Sequence, residues 1–300
     1  MYYLYKIMLK ILRILHLSYF LSDINYLKMD YQVLMHKKLN LKNPKTFNEK
    51  LQWLKLYNRK PEYSKMVDKF EVKNYVASII GEEHIIHTIG VYNSFDEIDF
   101  ENLPNKFVIK CTHDSGGVII CKDKSKLDIE TTKKQINKAL KTNYYKLGRE
   151  WPYKNVKPRI IIEKFIQDSE EDKLKDYKLF CFNGKVKMIL VCSNRIGNHK
   201  NTNFYDISWN LLPFSRANHI NNPNVINKPN NLEEMIKVAE KLSKNIPFVR
   251  VDLYDVNNKV YFGELTFYPS SGFEGFNPEE WDIKLGDMLE LPIKNVEEKK

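Results

Sequence analysis

Four charged side chains stand inside segments that otherwise read as β-strands: Lys110 in KFVIKCT, Glu163 in RIIIEKFI, and Asp252 and Glu264 in residues 248–254 and 259–265. A charge among β-branched and aromatic neighbours must be paired or must serve a ligand. Asp252 and Glu264 lie twelve residues apart, on strands joined at Asn257-Asn258, so the two carboxylates can meet across the pair. Such a pair suits a hard cation such as Mg²⁺, which takes oxygen ligands and often shares them with phosphates. Lys110 precedes His113-Asp114-Ser115-Gly116-Gly117. A cation before a glycine-containing loop suits phosphate, because the loop N–H groups can point inward. Singly, each residue has a plainer reading as an edge or salt-bridge residue. Their order along the chain argues for one site.

The elements that must position these residues follow from pattern and turn chemistry. Residues 106–112 and 118–121 form a hairpin around the glycine tip. Strands at 176–182 and 186–192 meet at Asn183-Gly184, the strongest short hairpin signal in the chain. Strand-like pieces fall at 84–89 and 91–95, and helices are expected at 62–80, 128–147 and 232–244, the first stopping at Gly81. Thr46 with Glu49 three residues on is a capping box for a further helix carrying Leu51, Trp53, Leu54 and Leu56. Residues 193–230 are polar and Asn-rich and read as a loop region or small flap. Strand pairs alternating with helices give an α+β class with antiparallel sheets.

The 300 residues are enough for about two domains, and 43% hydrophobic with 13% aromatic content excludes global disorder. A mean hydropathy of −0.49 excludes a polytopic membrane protein. Cys111, Cys121, Cys181 and Cys192 form no CxxC pair and read as buried thiols of a reducing compartment. Of the net charge of +10, +9 falls in residues 1–60, where twelve Lys or Arg face three acids. A basic end on a near-neutral body suits an anionic surface such as a membrane or an acidic polymer. No basic-plus-aromatic signature appears, so a nucleic-acid partner is not predicted. In residues 1–21 the cations Lys6, Lys10 and Arg13 share one helical face and the remainder is apolar. They interrupt any membrane span, and no small-residue cleavage site follows. Two readings stand for this helix: it lies in a membrane interface, or it packs on the body with its lysines in water.

In its motifs and their order, over roughly residues 45–290, the chain resembles the ATP-grasp enzymes, most closely the TupA-like branch of cell-surface polysaccharide gene clusters. Met66-Val67-Asp68-Lys69 is similar to the family's DK element, and Phe107-Val108-Ile109-Lys110 with the following loop to its phosphate hairpin. Ile161–Ile166 is similar to the strand that meets adenine, and Phe248–Asp252 and Gly263–Thr266 to the metal strands. The resemblance implies two α+β subdomains clasping ATP, preceded by a basic helical segment. It divides the chain into that segment (1–60), a small pre-grasp region (61–105), a subdomain with the phosphate hairpin (106–170) and one with the metal strands (171–292). It implies that Lys69 and Lys110 neutralise phosphate, that Ser115, Gly116 and Gly117 close over it, and that Glu163, Lys164, Phe165 and Ile166 meet adenine. Asp176 then accepts from ribose, and Lys178 lies near the phosphates or acceptor. Asp252 and Glu264 hold Mg²⁺, and Arg250 stabilises the transferred phosphoryl group. Ser270, Ser271 and Gly272 stand where related ligases bind the second substrate. Relatives of the ligase type place Asn two residues after the metal glutamate; here Thr266 stands there, and its hydroxyl binds Mg²⁺ less strongly.

Weaker candidates are Arg195 and His199 for an anionic substrate and His113 for phosphate, each with a solvated-loop alternative, while His84 and His87 read as structural. The expected function is an ATP- and Mg²⁺-dependent carboxylate–amine ligase acting on a small-molecule or polysaccharide-precursor substrate. It is expected in the cytoplasm, with peripheral contact at the inner face of the membrane. The alternatives are a glycosyltransferase and a non-catalytic envelope module; no clear DxD motif supports the first. If the first helix lies in the interface, the protein sediments with vesicles containing anionic lipid, at roughly 1 kcal/mol per cation, and less so in high salt. Deleting residues 1–21 then releases it while sparing nucleotide binding. Insoluble deletion protein, with an intact chain indifferent to vesicles, points to packing on the body instead.

Overall fold

The computed structural model describes residues 6–7, 11, 20–168, 174–196, 199–217, 220–221 and 225–292, with backbone alone for 193–196, 199–201 and 220. Helices α1 (Asp23–Leu34), α2 (Phe47–Tyr57), α3 (Glu62–Val67) and α4 (Glu71–Ile80) precede β1 (Thr88–Tyr92), β2 (Phe107–Cys111) and β3 (Val118–Cys121). Then come α5 (Ile129–Leu140), α6 (Tyr144–Gly148), β4 (Ile160–Lys164), β5 (Asp176–Phe182), β6 (Lys185–Ile196) and β7 (His199–Tyr205). After the two-residue strands β8 (Ser215–Arg216) and β9 (Ile220–Asn221) follow α7 (Leu232–Leu242), β10 (Phe248–Val256), β11 (Lys259–Thr266), β12 (Phe276–Asn277) and α8 (Glu280–Met288).

Two sheets carry the architecture, in the order β1-β4-β2-β3 and β11-β10-β5-β6-β7-β9, and β8 and β12 pair separately. Pairing is antiparallel except between β7 and β9. This is the α+β class that the pattern of elements predicts. Turn chemistry sets the hairpins: Asn183 and Gly184 have φ of 49° and 81°, and Asn257 and Asn258 have φ of 51° and 57°. Positive φ at both central residues matches the right-handed twist of the flanking strands.

In the four-stranded sheet, Phe107, Ile109, Cys111, Ile160 and Ile162 bury one face in a small core with Ile136 of α5. Period-2 alternation sends Lys110 and Glu163 to the opposite face. The larger core joins the six-stranded sheet to α2, α3, α4, α7 and α8 through residues such as Phe47, Leu51, Tyr63, Val76, Met235, Val249 and Leu285. Helix α1 adds a small cluster of Tyr26, Leu27 and Met29. The Thr46–Glu49 capping box forms as its spacing requires.

Several expectations are corrected. The helix expected at 62–80 is two, because Asp68 turns extended and its carboxylate accepts from the Phe70 and Glu71 amides at 2.8 and 3.2 Å. The helix expected at 128–147 also divides, with Asn143 capping the second piece. Only Thr88–Tyr92 is strand where two pieces were expected, and residues 82–84 form a 3₁₀ turn. The supposed loop after residue 193 contains β7, whose Thr202, Asn203, Phe204 and Tyr205 are all buried. Its polar composition hides a strand paired along one whole edge.

The basic N-terminal segment is partly turned inward. Lys55 is fully buried, Lys50 Nζ donates to the carbonyls of Gly286 and Leu289 at 2.7 Å each, and Arg59 pairs with Asp23 at 2.6 Å. Of the first helix only Lys6, Ile7 and Ile11 are described, with both isoleucines exposed; Lys10 and Arg13 lie outside the described residues. Among the described residues no helix is long and apolar enough to cross a membrane. Helix α2 is part of the body: Phe47 is 1% exposed and packs its ring against Phe248 at 4.9 Å and Phe182 at 5.8 Å. Phe47→Ala is expected to cost about 3–5 kcal/mol of stability in urea unfolding.

Candidate active site

The two sheets face each other across a cleft lined by Lys69, Lys73, Lys110, Glu163, Asp176, Lys178, Asp252 and Glu264, with Ile85, Ile86, Val118, Tyr254, Phe262 and Gly263 as its apolar and backbone walls. On the four-stranded sheet, Val108 opposes Glu163 and Lys110 opposes Ile161, so Lys110 and Glu163 are diagonal neighbours on one face. Lys110 Nζ lies 2.6 Å from Glu163 Oε2, and Lys73 Nζ lies 2.5 Å from Oε1. Burial pushes the Glu163 carboxyl up, and the two lysines more than offset it, leaving it below its ordinary value of 4.5. Lys69 grips the root of the hairpin loop: its Nζ donates to the Cys111 carbonyl at 3.1 Å and to the Asp114 carbonyl. Asp68 beside it pairs with Arg159 at 2.9 Å.

The six-stranded sheet supplies the second half. Asp252 lies directly opposite both Glu264 and Lys178, and Arg250 lies opposite Thr266. Arg250 donates to both Asp252 oxygens at 2.6 and 2.7 Å and to Glu264 Oε1 at 3.2 Å. Lys178 Nζ bridges Asp252 and Asp176 at 2.5 Å each. Burial alone would lift Glu264, but Arg250, Lys178 and Lys69 draw its carboxyl down to about 2. The register slips by one residue after Asp252, leaving Gly263 as the extra residue beside Glu264. A Cβ there would stand 3.0 Å from the Asp252 carbonyl, so the bulge needs glycine to bring the strands this close.

Asp252 and Glu264 form an oxygen-only donor pair of the kind a hard divalent cation takes. Among the described residues no group of three or more His, Cys, Asp or Glu could hold a metal. Mg²⁺ is usually bound by one or two carboxylates and completed by phosphate and water oxygens. The Thr266 hydroxyl is turned to the protein: it donates to Glu264 Oε1 and accepts from Arg250 Nη2, both at 3.1 Å.

The hairpin loop carries Ser115, Gly116 with φ of 128°, and Gly117. Tyr144, in α6, stacks edge-on against Tyr153 at 4.7 Å. His113 is buried, with Nε2 3.2 Å from the Thr142 carbonyl, and its burial lowers its pKa; it is a loop anchor rather than a solvated histidine. His84 is likewise structural, with Nδ1 2.9 Å from the Val260 carbonyl. Lys164, Phe165 and Ile166 leave the end of β4 and are not among the cleft-lining residues. The side chains of Arg195 and His199 lie outside the described residues.

Ser270, Ser271 and Gly272 sit apart from the cleft lining, on the turn after β11, with successive φ of 49°, 55° and 65°. Left-handed backbone costs a serine about 1–2 kcal/mol, so the surroundings must enforce it. Glu150, a buried carboxylate that burial pushes up in pKa, stands with Ser271 beside Gly148. Buried Lys55 lies beneath the same turn, and burial pulls its pKa down. The sequence pattern missed Lys73, Tyr144, Glu150 and Lys55. For Lys73 a signal existed: it lies four residues after Lys69, on the same side of the chain's entry into α4.

The geometry agrees with sequence comparison. The model of the TupA-like ATP-grasp family matches residues 49–290. No curated protein matches the chain. Among solved structures, D-alanine–D-alanine ligase from Bacillus anthracis is 18% identical over 80% of this chain and 67% of that one, with a TM-score of 0.40. Its complex with ATP is 19% identical over 75% and 63%, with a TM-score of 0.39. The biotin carboxylase domain of the Hydrogenobacter thermophilus 2-oxoglutarate carboxylase is 16% identical over 75% and 46%, with a TM-score of 0.44. The chain thus spans between about half and two thirds of these proteins. The family model covers most of the chain and takes in every cleft-lining residue, so the protein belongs to the TupA-like ATP-grasp family.

Proposed function

We propose that the chain is an ATP- and Mg²⁺-dependent carboxylate–amine ligase of cell-surface polysaccharide synthesis. The observation that carries the reading is the convergence of Lys69, Lys110 and Lys178 on one cleft with Asp252 and Glu264, both of which Arg250 bonds. Family membership supports the nucleotide, and the TupA-like branch supports a uronic acid carboxylate joined to an amino acid or amine. In this reading a substrate carboxylate oxygen attacks the γ-phosphorus of ATP, and the bond to ADP breaks. The resulting acyl phosphate is attacked by an amine, phosphate leaves, and the amine loses a proton.

The chain's own residues act by placement and charge. Lys69 and Lys110 meet the phosphates, and Lys69 couples their arrival to the hairpin loop through its bonds to Cys111 and Asp114. Ser115, Gly116 and Gly117 offer backbone donors. Asp176 takes the ribose, and the backbone of 163–166 the adenine. Arg250, bonded to Asp252 and Glu264, neutralises charge on the transferred phosphoryl group. Asp252 and Glu264 would hold Mg²⁺, which when bound would offset negative charge on the nucleotide phosphates. The turn 270–272 receives the second substrate. Contact with an anionic membrane belongs to the same reading, supported by exposed Ile7 and Ile11.

The direct experiment is ADP release with Mg·ATP, D-glucuronate or D-galacturonate, and each amino acid in turn; release that needs both partners establishes the ligase. Mg·ATP is expected to raise stability by about 2.7 kcal/mol at a hundredfold excess over its Kd. Lys110→Met is expected to shrink that shift without unfolding, because Lys73 still pairs Glu163. Glu264→Gln is expected to abolish turnover while leaving ATP binding, since metal-assisted transition-state stabilisation suffers more than adenine contact. An unshifted melting temperature across millimolar Mg·ATP rejects the reading.

Acid titration tests the cradle separately. Glu163 is held below 4.5, so its pairing stabilises fully above that pH and the contribution is lost as pH falls below it. The melting temperature of the parent protein should therefore drop more steeply below pH 4.5 than that of Glu163→Gln.

A further inference from the structure

Helix α2 carries three polar side chains that are wholly buried: Asn48, Gln52 and Lys55, each 0% exposed. Spaced at i, i+4 and i+7, they form one stripe. Buried amides and ammonium groups are costly unless bonded, and Leu or Met would fill such positions more simply. Nearly all the bonds of this stripe run to one stretch of backbone. Asn48 Nδ2 donates to the Glu274 carbonyl at 2.8 Å, and its Oδ1 accepts from the Glu274 amide at 3.1 Å. Gln52 Nε2 donates to the carbonyls of Ser271 and Gly272 at 3.1 and 2.7 Å. Lys55 Nζ donates to the Ser271 carbonyl at 2.7 Å, to Ser271 Oγ at 2.8 Å and to the Gly148 carbonyl at 2.8 Å.

The stretch so held is the left-handed turn at 270–272. Its outer side is fixed as well: Ser270 Oγ donates to Glu274 Oε2 at 2.5 Å and accepts from Arg216 Nη2 at 2.8 Å. The Ser271 hydroxyl, which accepts from Lys55, and the Glu150 carboxylate, which follows α6, both stand beside Gly148. Just before the same helix, the Thr142 carbonyl meets His113 Nε2 of the hairpin loop at 3.2 Å. One short segment therefore touches both the phosphate loop and the turn that α2 clamps.

We propose that Asn48, Gln52 and Lys55 are positioning residues that lock the turn 270–272 in the shape that receives the second substrate, which makes α2 a working part of the ligase site. The inference rests on the proposed function for what the turn binds. The clamp itself is independent of it.

Two variants test it in the full chain. Gln52→Leu removes two bonds to the turn and no charge. Lys55→Met/Glu150→Gln removes both buried charges together, so neither is left uncompensated. Hydrogen exchange is followed at the amides of 270–274, with those of β2 and β10 as internal controls. Exchange at the turn is expected to rise at least tenfold in both variants, with the controls and the Mg·ATP thermal shift unchanged. With the carboxylate and amine that support ADP release, KM for that pair is expected to rise at least fivefold while kcat and KM for ATP hold. Exchange at the turn equal to that of the parent protein overturns the proposal, as does faster exchange with an unchanged KM. If the double variant does not fold, Gln52→Leu decides alone. A parent chain that Mg·ATP does not stabilise overturns the nucleotide reading itself, and with it the catalytic meaning of the turn.

Discussion

A carboxylate as buried as Glu163, 5% exposed, cannot remain ionised beside apolar strands without cations in contact with it. Its two partners come from different bodies. Lys110 belongs to its own sheet, whereas Lys73 rises from α4, which is packed in the larger core. The pair of ion bonds therefore ties the smaller sheet to the larger core at the cleft. Lys69, at the entry to the same helix, adds its grip on the hairpin loop. The same requirement operates on the opposite wall, where Asp252 is neutralised by Arg250 and Lys178 from its own strand and the next. Removing Glu163 would leave both of its lysines unmatched, so that wall of the cleft is defined as a set.

The N-terminal helices take part in this set. Phe47 and Leu51 place α2 in the core of the six-stranded sheet, and Lys50 closes on the end of α8 through two carbonyls. Asp23 of α1 gathers Arg59 and the Tyr145 hydroxyl, which links the first described helix to α6. The basic character of residues 1–60 is thus partly a record of internal bonding, and a count of charges overstates what faces outward.

Much of the site was legible because its signals are local. A lysine or carboxylate inside an apolar strand stands out by composition, and Asn-Gly and Asn-Asn turns fix register over a few residues. Lys110, Glu163, Asp252 and Glu264 stand out that way, whereas Asp176, Lys178 and Arg250 were named only through the family resemblance. The illegible parts depend on partners distant in sequence. Lys55 lies between Leu54 and Leu56 in an amphipathic helix, where a lysine ordinarily marks the solvent side; only the approach of residue 271 makes that side interior. Strand β7 opens on five polar residues, His199 to Asn203, and only its ladder with β6 identifies it. The break at Asp68 needed the knowledge that its side chain would cap the next helix rather than continue the last.

The lysines of the cleft are already bonded: Lys69 to two carbonyls, Lys73 to Glu163 and the Ile86 carbonyl, Lys110 to Glu163. An arriving polyanion would therefore exchange partners with these groups instead of adding to bare cations. Each new contact replaces an existing one, and few mobile counterions are displaced from the protein. Affinity at this cleft should then respond to ionic strength less steeply than its number of positive groups suggests, and selectivity should come from geometry, because a ligand that presents charge without matching the spacing of the bonds it breaks gains little.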